Sequence, residues 1–169
     1  NYQRLFSDPS FRQASKITLI YVIFGTPIKL AAALLVAMLL NNSRRGQSFY
    51  RSAYYMPSLI GGSVSVAIVW KAMFIDGGIV SQISEGLGGP AGGWVGDPGK
   101  TMPMLILLTV WQFGAPMVIF LAGLKQVPTE LYEAAEMDGA GPLRKFLKIT
   151  LPMLSPVLFF NLLLETIHA

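Results

Sequence analysis

The sequence ELYEAAEMDGAGPLRKFLKITLP, which runs from Glu130 to Pro152, lies between two strongly apolar stretches of the chain. Its first half carries the acidic residues and its second half carries the basic ones. A polar segment of this kind between two apolar stretches predicts a small structure that is tied to a membrane at both ends. The nature of its flanks therefore decides the fold.

The composition of the chain indicates an integral membrane protein. Of its 169 residues, 53% are hydrophobic and only 13% are charged, whereas soluble proteins carry about 25% charged residues. The mean hydropathy is +0.53. A water-soluble domain of this length needs more surface charge than the sequence supplies, so we predict membrane lipid as the main surroundings of the chain.

Four stretches are apolar enough to cross a membrane or to begin crossing one, because a helical span needs about 20 mostly apolar residues. Pro27 is expected to kink the first and Pro116 to interrupt the third, while Gly61 and Gly62 let a neighbouring helix approach the second closely. Tryptophans lie near the predicted span ends, where indole rings favour the interface. We predict an all-α transmembrane bundle with about four spans, at Ile17–Leu40, Pro57–Ile75, Met102–Leu124 and Leu151–Ala169.

The connecting segments differ in charge and so predict which side of the membrane each occupies. Asn41–Met56 and Lys125–Thr150 are rich in Lys and Arg, which indicates the cytoplasmic side. Asp76–Thr101 is rich in glycine and carries more acidic than basic residues, which indicates the external side. This alternation places three basic residues of the first segment outside, against the positive-inside rule: Arg4, Arg12 and Lys16.

Several classes of function are disfavoured by what the sequence lacks. The chain has no cysteine and a single histidine, so neither disulfides nor a metal site is expected. Gly99-Lys100-Thr101 resembles the end of a phosphate-binding loop, but that motif requires a glycine where Trp94 stands. The net charge of +4 is explained by basic residues beside the spans, and we expect no nucleic-acid partner.

The segment from Glu130 to Pro152 predicts two short helices joined by a turn. Thr129 can cap the first helix, and Glu130 and Glu133 are expected in its first turn, near the positive end of the helix dipole. Gly139 is expected to end this helix in the left-handed conformation, and Pro142 suits the start of the second.

The second short helix is expected to lie along the inner membrane surface. Its apolar positions repeat at helical spacing, with the basic residues mostly opposite, as in interfacial helices. An ordinary interfacial loop remains an alternative, whereas a DNA-binding helix-turn-helix is disfavoured because both ends enter spans. The apolar face comprises Leu143, Phe146, Leu147 and Thr150, and the basic face Arg144, Lys145 and Lys148.

The segment resembles the EAA loop of binding-protein-dependent ABC importer permeases, in which EAA is followed by Gly and, after a hydrophobic residue, by Leu-Pro. The match has no gaps and identifies residues 128–152 as a coupling loop. The matching positions are Glu133, Ala134, Ala135, Asp138, Gly139, Ala140, Phe146, Ile149, Leu151 and Pro152.

Three further stretches resemble the sugar-permease branch of this family, the maltose and glycerol-phosphate type. They are residues 49–74, and more weakly residues 7–21 and 94–111. The resemblance implies a single transmembrane domain over residues 1–169 with the MetI-like fold of type I importers, and a parent protein with one further span at each end. It also implies that Arg4, Arg12 and Lys16 are external.

The resemblance implies a transport subunit of a bacterial inner membrane and not an enzyme. Its implied partners are a second permease subunit, identical or homologous, a cytoplasmic ATPase dimer that holds ATP and Mg²⁺, and an extracytoplasmic solute-binding protein. The chain itself is expected to bind no cofactor. A sugar or oligosaccharide is the implied solute, with an amino-acid or peptide importer as the alternative and an ion-coupled secondary transporter as a more distant one.

Polar residues inside the predicted spans are the candidates for the solute path, because burying such groups in lipid is costly. Lys29 can line the path, reach an interface or pair with Glu165, and Gln112 can bind sugar hydroxyls or join two helices. Trp111 is expected to stack on a sugar ring. The full candidate set is Lys29, Trp111, Gln112, Asn161 and Glu165.

Overall fold

The structure is a computed structural model that describes residues 6–42, 46–89 and 92–168. Within these ranges every regular element is a helix, which confirms the all-α prediction. Arg4, Arg44 and Arg45 lie outside the described residues. In chain order the helices are α1 (Pro9–Asn41), α2 (Gln47–Ile60), α3 (Val64–Phe74), α4 (Ile79–Gly86), α5 (Pro98–Trp111), α6 (Gly114–Leu124), α7 (Thr129–Met137) and α8 (Pro142–His168).

Three segments are long and apolar enough to cross a membrane, judged by length and composition: Pro9–Asn41, Val64–Gly86 and Pro142–His168. The pair α5 and α6 passes the same test as one bent unit, with 46° between its halves. Counting that pair as a broken span gives four. The prediction of about four spans therefore agrees with the described part of the chain.

The first and last spans continue through their prolines because each contains a π-helical turn. The turns lie at Tyr21–Gly25 and Phe146–Thr150, two residues before Pro27 and Pro152 respectively. A proline cannot donate to the carbonyl four residues earlier and its ring clashes there, and the wider π turn relieves both problems. The predicted second short helix is therefore not a separate helix along the membrane surface, because it is continuous with the last span.

The second predicted span, Pro57–Ile75, is not one helix. Pro57 lies inside α2, which ends at Ile60, and α3 begins at Val64 after a break. Ser63 caps α3 by accepting a hydrogen bond from the backbone N–H of Val66, at 3.3 Å. The two glycines sit at this break, and a Cβ on Gly61 would lie 2.3 Å from the side chain of Gln112.

The third predicted span is broken, but not at the predicted residue. The helix stops at Trp111 and restarts at Gly114, so Pro116 falls in the first turn of α6, where a missing N–H costs no hydrogen bond. Ser58 of α2 bridges the break. Its hydroxyl donates to the carbonyl of Gln112 at 3.2 Å and accepts from the N–H of Ala115 at 3.1 Å.

The core lies between α1, α6 and α8. Alanines on α1 let α6 approach closely, since Ala33 and Ala37 are both fully buried. Gly123 of α6 lets α8 approach closely, because a Cβ on Gly123 would lie 2.9 Å from the side chain of Leu154. The buried apolar residues of this core are Leu30, Ala33, Ala37, Leu40, Met117, Phe120, Leu121, Leu124 and Leu154.

The segment between α3 and α5 is structured. Ser81 of α4 is buried and donates to the carbonyl of Ile75 at 2.9 Å, which ties α4 to the end of α3. An aromatic row joins the segment to the spans, with ring centroids 5.9, 5.2 and 5.5 Å apart. The row runs through Trp111, Trp70, Phe74 and Trp94.

Candidate functional site

The coupling loop forms a short helix, α7, whose start differs from the prediction. The residue before the helix is Pro128, and Thr129 is its first helical residue, so the predicted Thr129 cap is wrong. Glu130 lies in the first turn as predicted, whereas Glu133 lies beyond it. Pro128 has extended backbone angles, which direct the chain out of the preceding turn and into α7.

The end of α7 follows from its sequence. Gly139 has a φ of +72°, the conformation that glycine adopts without the penalty of a Cβ. The N–H of Ala140 donates to the carbonyl of Ala135 at 2.8 Å, and that of Gly139 to the carbonyl of Glu136 at 2.9 Å. These bonds form a Schellman motif. The predicted left-handed Gly139 and the start of the next helix at Pro142 are both confirmed.

One face of α7 is exposed in the part of the chain that the structure describes. Glu133 and Ala134 are exposed, and Met137 is 90% exposed. The opposite face, with Tyr132 and Ala135 half-buried, is turned toward the protein. Sequence reasoning missed Met137, although its position one turn after Glu133 and Ala134 was a sufficient signal.

A groove separates α7 from the start of α8. It has a volume of about 550 Å³, and three basic side chains line it together with the carboxylate of Asp138. Among the other predicted loop residues, Phe146 and Leu151 are half-buried and Pro152 is exposed. The groove is lined by Ala135, Asp138, Ala140, Arg144, Lys145, Lys148 and Ile149.

Two side-chain contacts connect α7 to α8. The hydroxyls of Tyr132 and Thr150 are hydrogen-bonded at 2.8 Å, and Lys145 Nζ donates to Glu136 Oε1 at 2.6 Å. The hydrogen bond from Lys145, reinforced by its positive charge, lowers the pKa of Glu136. That ion pair is therefore present at neutral pH and is lost as the pH falls through the lowered pKa of Glu136.

A second candidate site lies between the spans. Lys29 of α1 and Glu165 of α8 form an ion pair at 2.6 Å, with side-chain exposures of 12% and 16%. At about 1.5 Å per residue, Lys29 is about 18 Å along α1 from Asn41. Taking Asn41 as the edge of a hydrocarbon core about 30 Å thick puts the pair well inside that core.

The pair lines a cavity of about 180 Å³. Gln112 lines the same cavity, and so do hydroxyl groups that sequence reasoning missed. Thr26 and Thr109 precede Lys29 and Gln112 by one helical turn, which was the available signal. The lining residues are Tyr21, Thr26, Lys29, Thr109, Gln112, Glu165 and His168; the hydroxyls of Tyr21 and Thr109 also bond to each other.

The structure does not bring the remaining predicted path residues to this cavity. Trp111 stacks on Trp70 and lines a separate apolar pocket with it, because the chain turns between Trp111 and Gln112. Asn161 is 1% exposed and donates to the carbonyl of Val157 at 3.2 Å within its own helix. Trp111 and Asn161 therefore lie apart from the cavity that Lys29, Gln112 and Glu165 line, and their place in the solute path stays a prediction.

Comparisons with known proteins give the family. The profile of the binding-protein-dependent transport system inner membrane component matches residues 17–169. The probable ABC transporter permease protein YesP of Bacillus subtilis is 44% identical over the whole chain. The lactose transport system permease protein LacF of Rhizobium radiobacter is 33% identical over 99% of the chain. The sn-glycerol-3-phosphate transport system permease protein UgpA of Pectobacterium atrosepticum is 32% identical over the whole chain.

These relatives are longer than the chain, which spans 55% of YesP and 57% of LacF and of UgpA. A solved bacterial ABC transporter for the import of alginate matches 93% of the chain and 56% of its own, with a TM-score of 0.74 at 24% identity. This likeness shows that the helices share the importer-permease fold. The chain belongs to the family of binding-protein-dependent transport system inner membrane components.

Proposed function

We propose that the chain is part of the permease subunit of an ATP-driven ABC importer in a bacterial inner membrane. The observation that carries the proposal is the exposed face of α7, Glu133, Ala134 and Met137, presented between two membrane spans. A small, partly apolar helix face with one carboxylate suits insertion into a groove of another protein. The proposed occupant of this face is a cytoplasmic ATPase.

The energy for transport comes from that partner. The chain binds no cofactor of its own in this proposal, and ATP and Mg²⁺ are held by an ATPase dimer. Closing of the dimer shifts the permease between two states only if it binds one state more tightly. A second permease subunit, identical or homologous, completes the path, and an extracytoplasmic solute-binding protein delivers the solute.

The proposed solute is a sugar or an oligosaccharide. The cavity beside Lys29 and Glu165 offers hydroxyl, amide and charged groups that can both donate and accept hydrogen bonds, as sugar hydroxyls require. Lys29 and Glu165 neutralise each other, so the cavity has no large excess of charge. The names of LacF, a lactose permease, and of the alginate importer support the same class of solute for this chain.

The test is reconstitution of the full-length protein with its ATPase, partner permease and solute-binding protein in liposomes. Labelled lactose, glycerol 3-phosphate, an alginate oligosaccharide and an amino-acid mixture are offered in parallel. We expect uptake of one of the two sugar probes, lactose or the alginate oligosaccharide, dependent on ATP hydrolysis; uptake of glycerol 3-phosphate alone would replace the sugar with a polyol phosphate. Uptake of amino acids alone would favour the amino-acid importer, and uptake driven by an ion gradient without ATP would overturn the proposal.

Gly139→Val should impair coupling between ATP hydrolysis and uptake. Gly139 has a φ of +72°, and a β-branched residue in that region costs about 1–2 kcal/mol, so the turn between α7 and α8 should shift. Gly141→Val is the matched control, because Gly141 has a φ of −67° and open space around it. Equal uptake per ATP in the two variants would contradict the prediction.

Single cysteines should report the sides of the membrane, since the chain has none of its own. Leu87, which follows α4, is 84% exposed, and Met137 at the end of α7 is 90% exposed. We expect Leu87→Cys to react with a membrane-impermeant thiol reagent in spheroplasts and Met137→Cys to react only after permeabilisation. The reverse pattern would invert the proposed topology and remove α7 from the cytoplasm.

A further inference from the structure

We propose that the hydrogen bond between Tyr132 and Thr150 is the contact through which α7 moves the last span, which makes Tyr132 and Thr150 positioning residues for energy coupling. This inference rests on the proposed function, because it presumes that α7 is the element on which the ATPase acts.

The position of Thr150 suits this role. Thr150 is 5% exposed and ends the π-helical turn of α8, directly before the part of that helix that contains Glu165. Thr166 of the same helix uses its hydroxyl to bond the carbonyl four residues earlier in α8. Thr150 instead pairs with Tyr132, whose hydroxyl lies 2.8 Å away on another helix.

The attachment of α7 to the rest of the protein is otherwise weak. The helix has nine residues and no buried residue, and its backbone packs sparsely against the other helices. Its connection to α8 is the four-residue turn 138–141, which includes the left-handed Gly139. A helix held in this way can tilt without moving α8 unless side chains join the two.

Of the two side-chain links, the hydrogen bond is the stronger candidate. Glu136 is 64% exposed at its side chain, and exposed ion pairs are screened by water and salt and contribute little. The bond between Tyr132 and Thr150 is better sheltered, because Thr150 is 5% exposed and Tyr132 is half-buried, although both side chains line a cavity of about 660 Å³ together with Glu136 and Lys145. A sheltered hydrogen bond is weakened less by water and loses more when one partner is removed.

The test uses the full-length transporter in liposomes with the sugar probe that the parental protein takes up. Tyr132→Phe and Thr150→Val each remove one hydroxyl and keep most of the side-chain shape. We expect roughly threefold to tenfold fewer solute molecules transported per ATP in each variant, the loss expected for one hydrogen bond. Binding of the ATPase and the basal rate of ATP hydrolysis should stay within about twofold of the parental values, since the exposed face of α7 is unchanged.

The double variant and a control separate this role from general damage. Tyr132→Phe combined with Thr150→Val should transport as well as either single variant, because both remove the same bond. Tyr50→Phe removes a hydroxyl from a tyrosine that is 48% exposed and should leave the ratio unchanged. An unchanged ratio in both single variants, or independent losses that add in the double variant, would overturn the proposal while leaving the importer assignment intact. A parental protein without ATP-driven uptake would overturn both.

Discussion

Replacing Lys29 with Met should destabilise the protein more than most single substitutions. The substitution leaves Glu165, 16% exposed at its side chain, without its partner at 2.6 Å. Breaking a buried ion pair by removing one member costs about 3–5 kcal/mol, most of it from the remaining uncompensated charge. Because both side chains keep some exposure, we expect about 3 kcal/mol, measured as a lower midpoint of thermal unfolding in detergent.

Two variants separate the structural role of the pair from a role in the solute path. Lys29→Met combined with Glu165→Leu removes both charges, and replacing a whole pair with apolar residues is often nearly neutral for stability. We therefore expect the double variant to regain most of the lost stability. Lys71→Met, at an exposed lysine of α3, is the matched control and should unfold at the parental temperature.

The same double variant then tests the path. If the cavity beside Lys29 and Glu165 carries the solute, uptake should remain impaired in the double variant although its stability is restored, because the charged donors and acceptors are gone. Basal ATP hydrolysis should persist, since α7 is untouched. Full recovery of uptake together with stability would show that the pair only joins α1 to α8.

The coupling loop was predicted well because its shape is decided by local chemistry. A left-handed turn needs glycine, and Gly139 supplies it; a helix start tolerates proline, and Pro142 supplies that. The details that failed, such as the Thr129 cap, depend on which of two adjacent residues becomes the first helical one. Helix boundaries are commonly uncertain by one or two residues.

The continuity of the spans was predicted less well because it depends on neighbouring helices. Pro27 and Pro152 signal breaks on local rules, yet π-helical turns carry both helices through. At the break after Trp111, by contrast, a neighbouring helix stabilises an interruption of the span. Its free carbonyl and N–H groups are satisfied by Ser58, and no pattern within residues 102–124 shows that this hydroxyl is in reach.

The residues of the cavity beside Lys29 and Glu165 could be predicted only in part, because the lining of the cavity also depends on how neighbouring helices pack. Pairing of Lys29 with Glu165 follows from the cost of a lone charge in lipid, so the sequence offered it as an alternative. Trp111 ends α5 and packs on Trp70, whereas the side chain of the next residue, Gln112, lines the polar cavity. The spacing of apolar residues in the sequence does not reveal which of these two adjacent residues faces the cavity.

Gly114→Ala should disrupt the packing of α2 against α6. A Cβ on Gly114 would lie 2.5 Å from the Ser58 hydroxyl, 2.5 Å from the carbonyl oxygen of Tyr54 and 2.7 Å from the Cα of Tyr55. The last two are backbone atoms, which cannot rotate away as a side chain can. Overpacking of this kind costs about 1–3 kcal/mol, and we expect a value near the upper end, measured as loss of folded protein in detergent and a lower unfolding midpoint.

Two further variants identify the cause of that loss. Gly62→Ala adds the same methyl group where no atom lies within 4 Å and should leave stability unchanged. Ser58→Ala removes the hydroxyl that bridges the break at 3.1 and 3.2 Å without adding bulk, and should cost about 1–2 kcal/mol for the unpaired backbone groups. If Gly114→Ala is no more damaging than Ser58→Ala, then α2 can withdraw from α6 at little cost. The close approach at Gly114 would in that case serve only to place the Ser58 hydroxyl, and the broken third span would depend on that single side chain.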